Sequence, residues 1–374
     1  MKHFKLFLKC IVNLGEIMFL KLFSKNYRYV TNELADFAEK EKRPDLDRSQ
    51  FTGRIKSALA LGLKEKEIFF FGLLQLLAIM IGYAIWLQVL NWIPQEIWDE
   101  VQYCIDQGNE DCTAPIDLSL YLWGLAVIVV VSFPIGILSC AIGTTHFLYT
   151  QKEESTVFKC LNAAFSNAWP IWKFHLIDSY ITINRILERL PKENDTRTPA
   201  EIALQEAMYY AWKVGTAGMI PNLILGNKLI VSGESSIKFV KAKFKEVAGL
   251  RAAYSSLCWI IAILAYIGAI LLTMIFENEL TSNTGTVEIG TFYIYMMIPI
   301  CVATAAVVIV LRPIYILSIC DIYSDYLKEK NEDVELPNNP SNGRSALITF
   351  IILGLVLIFL SSFGIELGLD KYFQ

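Results

Sequence analysis

Lys173, His175 and Asp178 interrupt the apolar, Trp-rich run from Ala164 to Tyr180. Glu206 and Lys213 do the same around the run from Ala211 to Gly226. Ionisable groups at membrane depth cost free energy and mark solute, ion or proton pathways. His175 and Asp178 are three residues apart, so on a helix they share a face and could pair. Lys173, two before His175, falls on a different part of that surface. Glu206 and Lys213, seven apart, again share a face. The chemistry these types could do together is a proton or ion relay. The competing reading is an amphipathic interfacial helix whose charges snorkel to water.

Other chemistry finds little support. The histidines are His3, His146 and His175. No His-Glu-x-x-His pattern, phosphate-binding glycine loop or nucleophile elbow occurs, so no enzyme is expected. No cofactor motif and no metal-site spacing is present. Among eight cysteines, Cys104 and Cys112 lie together in an acidic stretch between two apolar runs. An oxidising compartment would permit a disulfide between them. The other cysteines are expected as buried free thiols.

The elements that must position these groups are read from hydropathy and charge. The chain is 54% hydrophobic with a net charge of -4, and its mean hydropathy is +0.43. That apolar excess points to the bilayer, and the small net charge gives no whole-chain field for nucleic acid. Of 33 Lys and Arg, fourteen lie in residues 1–66 and fourteen in 152–251. None lies between Glu67 and Gln151, or between Ala252 and Leu311. Each basic-free window holds two apolar runs, Ile68–Leu90 with Leu118–Tyr149, and Tyr254–Phe276 with Phe292–Leu311. A fifth run is Ala346–Ile365. Each meets the ~20 residues needed to cross hydrocarbon. Basic loops stay cytoplasmic, so the N-terminus, the middle and 326–345 are expected inside. Loops 91–117 and 277–291 and the C-terminal tail are expected outside, in a plasma or inner membrane.

The expected architecture is an all-α polytopic membrane helix bundle. It has about five full spans, two embedded or re-entrant helical pieces in the middle, and amphipathic interfacial helices. Seven spans is the alternative, but it would place Arg185, Arg189, Lys192 and Arg197 outside, against the charge pattern. Pro170 and Pro221 interrupt the two middle pieces, as expected of short broken helices buried against protein. Phe4, Phe7, Leu8, Ile11, Leu14, Met18 and Leu22 form one helical stripe, with Lys2, Lys5 and Lys9 off it. This suits a helix lying on anionic headgroups or packed on the protein itself. Residues 235–249 read as an interfacial helix capped at Ser235 or Ser236, with Ile237, Val240, Phe244 and Val247 on one face. Ser132, Gly136 and Cys140 recur every four residues, spacing that lets helices approach closely within the chain or in a homo-oligomer. Pro134 is expected to kink that span.

The chain divides into 1–53, an amphipathic helix and linker; 54–155, a first membrane hairpin; 156–234, the embedded middle; 235–330, a second hairpin; and 331–374, a loop and final span. The two hairpins form a weak internal repeat, of a kind found in transporters.

Ala211-Trp212, Thr216 and Pro221, the helix 235–249, Lys64-Glu-Lys-Glu-Ile68 and the small residues around Gly136 and Gly143 carry a resemblance. Over about Phe51 to Asp325 the chain resembles a prokaryotic polytopic membrane family of unknown function. Its N-terminal extension and final span depart from that pattern. Asp321-Ile-Tyr-Ser-Asp-Tyr-Leu-Lys-Glu-Lys330 is faintly similar to choline transporter-like proteins and implies no substrate. Two functions follow as expectations: passage of a small solute, ion or lipid, or a non-catalytic scaffold or assembly subunit with membrane-protein partners.

Overall fold

The computed structural model describes residues 48–90, 118–189, 198–280, 289–332, 334–337 and 341–363. The N-terminal stripe, Cys104 and Cys112 lie outside them. The described residues form α-helices and one π turn, with no strand among them. In chain order these are α1 (Arg48–Lys64), α2 (Glu67–Leu90), α3 (Leu118–Thr150), α4 (Val157–Ser166), α5 (Ala168–Arg189), α6 (Pro199–Gly215), α7 (Met219–Ile224), α8 (Leu229–Ala242) and α9 (Phe244–Leu280). Then come α10 (Ile289–Ala306), a π turn at Val307–Leu311, α11 (Arg312–Glu329) and α12 (Ser341–Phe363).

Among the described residues, five segments are long and apolar enough to cross a bilayer: Glu67–Gln88, Trp123–Thr150, Phe244–Leu271, Ile298–Glu329 and Gly343–Phe363. They correspond to the five expected runs. The apolar surface they leave exposed, Trp259, Ile263, Leu264 and Ile270 on α9 among it, exceeds what a water-facing monomer carries. Lipid tails satisfy it.

Among the described residues, the middle of the chain adds no further helix of that kind. Thr156 caps α4 by accepting from the Lys159 N–H. Asn167 ends α4 and donates to the carbonyls of Leu223 and Asn227, each at 2.9 Å. Thr198 and Glu201 close a reciprocal capping box at the start of α6, satisfying donors that the first turn leaves free. Pro170 and Pro221 fall in the first turns of α5 and α7. There a missing N–H costs nothing, so they open helices, where interruption was expected.

The core surrounds the C-terminal half of α3 and the middle of α11. Phe133, Ile137, Cys140, Ala141, Ile142 and Phe147 of α3 are buried, as are Ile316, Leu317, Ile319, Cys320 and Ile322 of α11. Small residues set the separations. A Cβ on Gly143 would lie 2.5 Å from Ile224 Cδ1 and 3.0 Å from Cys320 Sγ. A Cβ on Gly343 would lie 2.5 Å from the Phe165 carbonyl oxygen, which seats α12 on α4. Phe350 of α12 then stacks on Phe133 at 4.0 Å between centroids, beside Trp169 and Trp172.

Two local expectations are corrected. The helix expected over 235–249 breaks at Lys243, between α8 and α9. Ser235 and Ser236 lie inside α8, and Ser236 Oγ donates to the Gly215 carbonyl at 2.7 Å. Phe239, Val240 and Val247 are buried in protein, because Gly218 leaves room for Phe239 and Ser236. This segment therefore packs on the core, where an interfacial face was expected.

Candidate functional site

Asp178, midway along α5, is the anchor of the site. Its Oδ1 accepts from Lys213 Nζ at 2.6 Å and from Trp212 Nε1 at 3.2 Å, both on α6. Lys213 Nζ also donates to Thr182 Oγ1 at 2.8 Å. One turn on, Arg185 pairs with Glu206 at 2.8 Å and donates to Gln205 Oε1 at 3.0 Å. Glu206 and Lys213 thus face the same way, both toward α5. Burial alone would raise the Asp178 carboxyl; Lys213 and the Trp212 indole outweigh it and hold Asp178 below the ordinary carboxylate range.

His175 and Asp178 could pair by spacing, but Asp178 pairs with Lys213 instead. A lysine ammonium offers full charge and three donors, and α6 delivers it at hydrogen-bonding distance. His175 lies on the α3 side of α5, where Gly136 makes room. A Cβ on Gly136 would lie 2.7 Å from His175 Cδ2 and 3.2 Å from Ile171 Cγ2. His175 is buried, and its Nε2 has no hydrogen-bond partner among the described residues. Burial first, then the nearby Arg312 and Lys213 charges against that of Asp178, push its pKa down to about 3. His175 is therefore neutral at physiological pH. Lys173 is exposed on the far side of α5 and joins none of this.

Gly136 of the small-residue stripe faces α5 within the chain. Ser132 Oγ bonds back to the Val129 carbonyl at 3.0 Å, and Cys140 is a buried free thiol.

The structure adds residues that spacing did not single out. Gln75 of α2 donates to Ser139 Oγ of α3 at 3.0 Å, and Arg312 of α11 donates to the same oxygen at 3.0 Å. Arg251 of α9 lies over the rings of Tyr254 and Tyr315, at 5.3 and 5.9 Å from their centroids. Gln75 stands inside an apolar run and Arg312 directly follows one; those interruptions were the available signal. Arg312 also begins the helix after the π turn, a distortion frequent at functional sites. Gly72 of α2 packs there, and a Cβ on it would lie 3.0 Å from both the Cα and O of Ile309.

A second polar cluster lies at the opposite end of α11. Arg54 of α1 meets Glu246, Asp321 and Asp325 at 2.9, 2.8 and 2.9 Å. Burial disfavours its charge, but the carboxylates prevail and raise the Arg54 pKa further. Lys243 bonds Glu329 at 2.6 Å. His146 is buried here, with Nε2 at 3.4 Å from Ser324 Oγ and 4.0 Å from Asp321. The residue types suggest a nucleophile triad, but both contacts reach one nitrogen and Ser324 donates to the Cys320 carbonyl at 2.9 Å. In a working triad the carboxylate and hydroxyl engage different ring nitrogens. This cluster is an ion-paired latch joining α1, α9 and α11.

Searches against family models, curated proteins and solved structures returned no match to this chain.

Proposed function

We propose that the protein passes a small solute, ion or lipid across or within the bilayer, using the polar band between its helices. The observation that supports this is the band itself. Gln75, Ser139, His175, Asp178, Lys213, Arg251 and Arg312 come from six helices, α2, α3, α5, α6, α9 and α11. A packed membrane bundle has no structural need for so many polar groups, and intramembrane charge marks a pathway by default. The reading is non-catalytic. It places the chain in a plasma or inner membrane with the N-terminus inside and the C-terminus outside, as the basic-free windows suggest, and its cytoplasmic face on anionic lipid. The resemblance to the prokaryotic membrane family is part of the same reading.

The scaffold reading is favoured by α9, of whose most apolar window none is buried. Trp259 there is 64% exposed. That face fits lipid or a partner helix equally.

The test compares Asp178→Asn with Glu193→Gln in a complementation or proteoliposome flux assay at matched expression. Asp178→Asn keeps shape and removes the charge that holds Lys213. Function is expected to fall with Asp178→Asn and to persist with Glu193→Gln. If both variants match wild type, the band is packing and the scaffold reading takes its place.

A further inference from the structure

Two arginines in the polar band, Arg251 and Arg312, have no carboxylate within ion-pair distance among the described residues; Asp178 is within electrostatic reach of Arg251 but is already bonded by Lys213. Asp178 is taken by Lys213 and Glu206 by Arg185. Arg312 has one hydrogen bond, to Ser139 Oγ. That hydroxyl is itself fully used, since it also accepts from Gln75 and donates to the Ile135 carbonyl at 2.7 Å. The remaining Arg312 donors have no acceptor among the described residues. Arg251 is held by tyrosine faces, and those two rings, Tyr254 and Tyr315, lie 4.7 Å apart. Tyr315 is one turn beyond Arg312 on α11, and both guanidinium groups lie within electrostatic reach of Tyr254. His175, within electrostatic reach of Arg312, keeps its Nε2 unpartnered. Lys213 and Asp178 cancel, leaving two fixed positive charges, since arginine stays protonated at any working pH. Two cations in excess of the carboxylates near the low-dielectric part of a bundle are costly.

We propose that Arg312 and Arg251, with the His175 imidazole, form a binding site for a phosphate-class oxyanion. The assignment rests on the transport reading and names its substrate class. Two planar forks arriving from different helices suit an anion with several oxygens better than a single-point anion. A doubly charged oxyanion would cancel the excess charge. The same chemistry is offered by free inorganic phosphate and by a phosphomonoester lipid headgroup, and both arginines are partly exposed, so either can reach them.

The experiment uses the full-length protein in neutral detergent and in nanodiscs. Thermal stability and intrinsic tryptophan fluorescence are followed against phosphate, chloride and acetate. In parallel, phosphatidylcholine discs are compared with discs containing phosphatidic acid. Saturable stabilisation by phosphate or by phosphatidic acid is expected, with chloride and acetate inactive. The active arm identifies the source. Arg312→Gln is expected to weaken it by about tenfold or more, a loss of ~1.4 kcal/mol. Arg312→Lys should fall between, because it keeps charge and loses the fork. Lys173→Gln on the exposed side of α5 should match wild type. Should Arg312→Gln fail to fold, the anion series on wild type decides. Wild type stabilised by no oxyanion, or binding indifferent to both Arg312→Gln and Arg251→Gln, overturns the site. Oxyanion binding without flux in proteoliposomes upholds the site and sinks the transport reading. Flux of a cation or neutral solute without oxyanion binding does the reverse.

Discussion

At the scale of single residues, the site is governed by which carboxylate finds which cation. Asp178 and Lys213 are a partly buried pair, with side chains 25% and 13% exposed. Such a pair lies between exposed pairs, worth under ~1 kcal/mol, and fully buried ones, whose breakage costs ~3–5 kcal/mol. Asp178→Asn should therefore cost about 1–3 kcal/mol of stability. A double-mutant cycle with Lys213→Met, read by thermal unfolding in detergent, should show a coupling of the same sign. Additive single effects would mean that the two charges act independently. His175 gives a pH signature. Its folded pKa of about 3 lies below the unfolded value near ~6.5. Between those values the unfolded chain binds the extra proton, so His175 contributes stability above ~6.5 that is lost as pH falls toward 3. Wild type should lose up to ~1.4 kcal/mol per pH unit in this window from this residue. Unfolding curves of His175→Asn should show a shallower acid slope; an unchanged slope would mean that His175 is protonated in the folded protein.

At the scale of elements, close approach is set by glycines that have no room for a methyl. Gly136→Ala would drive a Cβ into the His175 ring and Ile171 of α5. Overpacking of this kind costs ~1–3 kcal/mol, and α5 would have to move away from α3. Gly233 in α8 meets nothing within 4 Å, so Gly233→Ala should be neutral or stabilising by up to ~1 kcal/mol through helix propensity. Melting temperatures of the two variants should move in opposite directions or differ clearly. Equal shifts would mean that α5 is not fixed against α3 by this contact.

At the scale of the molecule, the five apolar helices and the ion-paired latch of Arg54 divide the bundle into a lipid-facing part and a polar end. The proposed orientation places residues 186–200 inside and 95–115 and 278–290 outside. Those loops lie largely outside the described residues, so labelling is the direct measure. Single cysteines at each site, on a background without reactive thiols, should react with an impermeant maleimide in intact cells only at 95–115 and 278–290. Labelling of 186–200 from outside would replace five spans with seven.

Composition and the two windows without Lys or Arg were enough to establish an all-α membrane protein with five apolar helices. Hydropathy acts locally, and a run of about 20 apolar residues has few other places to go. Asp178, Lys213, His175 and Glu206 also stood out, because charge inside an apolar run is costly wherever the run ends up. Partners were not legible. His175 and Asp178 share a helix face, yet α6 brings Lys213 to Asp178 and Gly136 draws the His175 ring toward α3. Arg251 and Arg312 each look like a basic residue at the edge of an apolar run. Only the packing of α9 against α11 sets Arg251 over the Tyr254 and Tyr315 rings with Arg312 in electrostatic reach of Tyr254. Pairing across helices depends on distances between segments far apart in the chain, and periodicity within one segment carries no information about them.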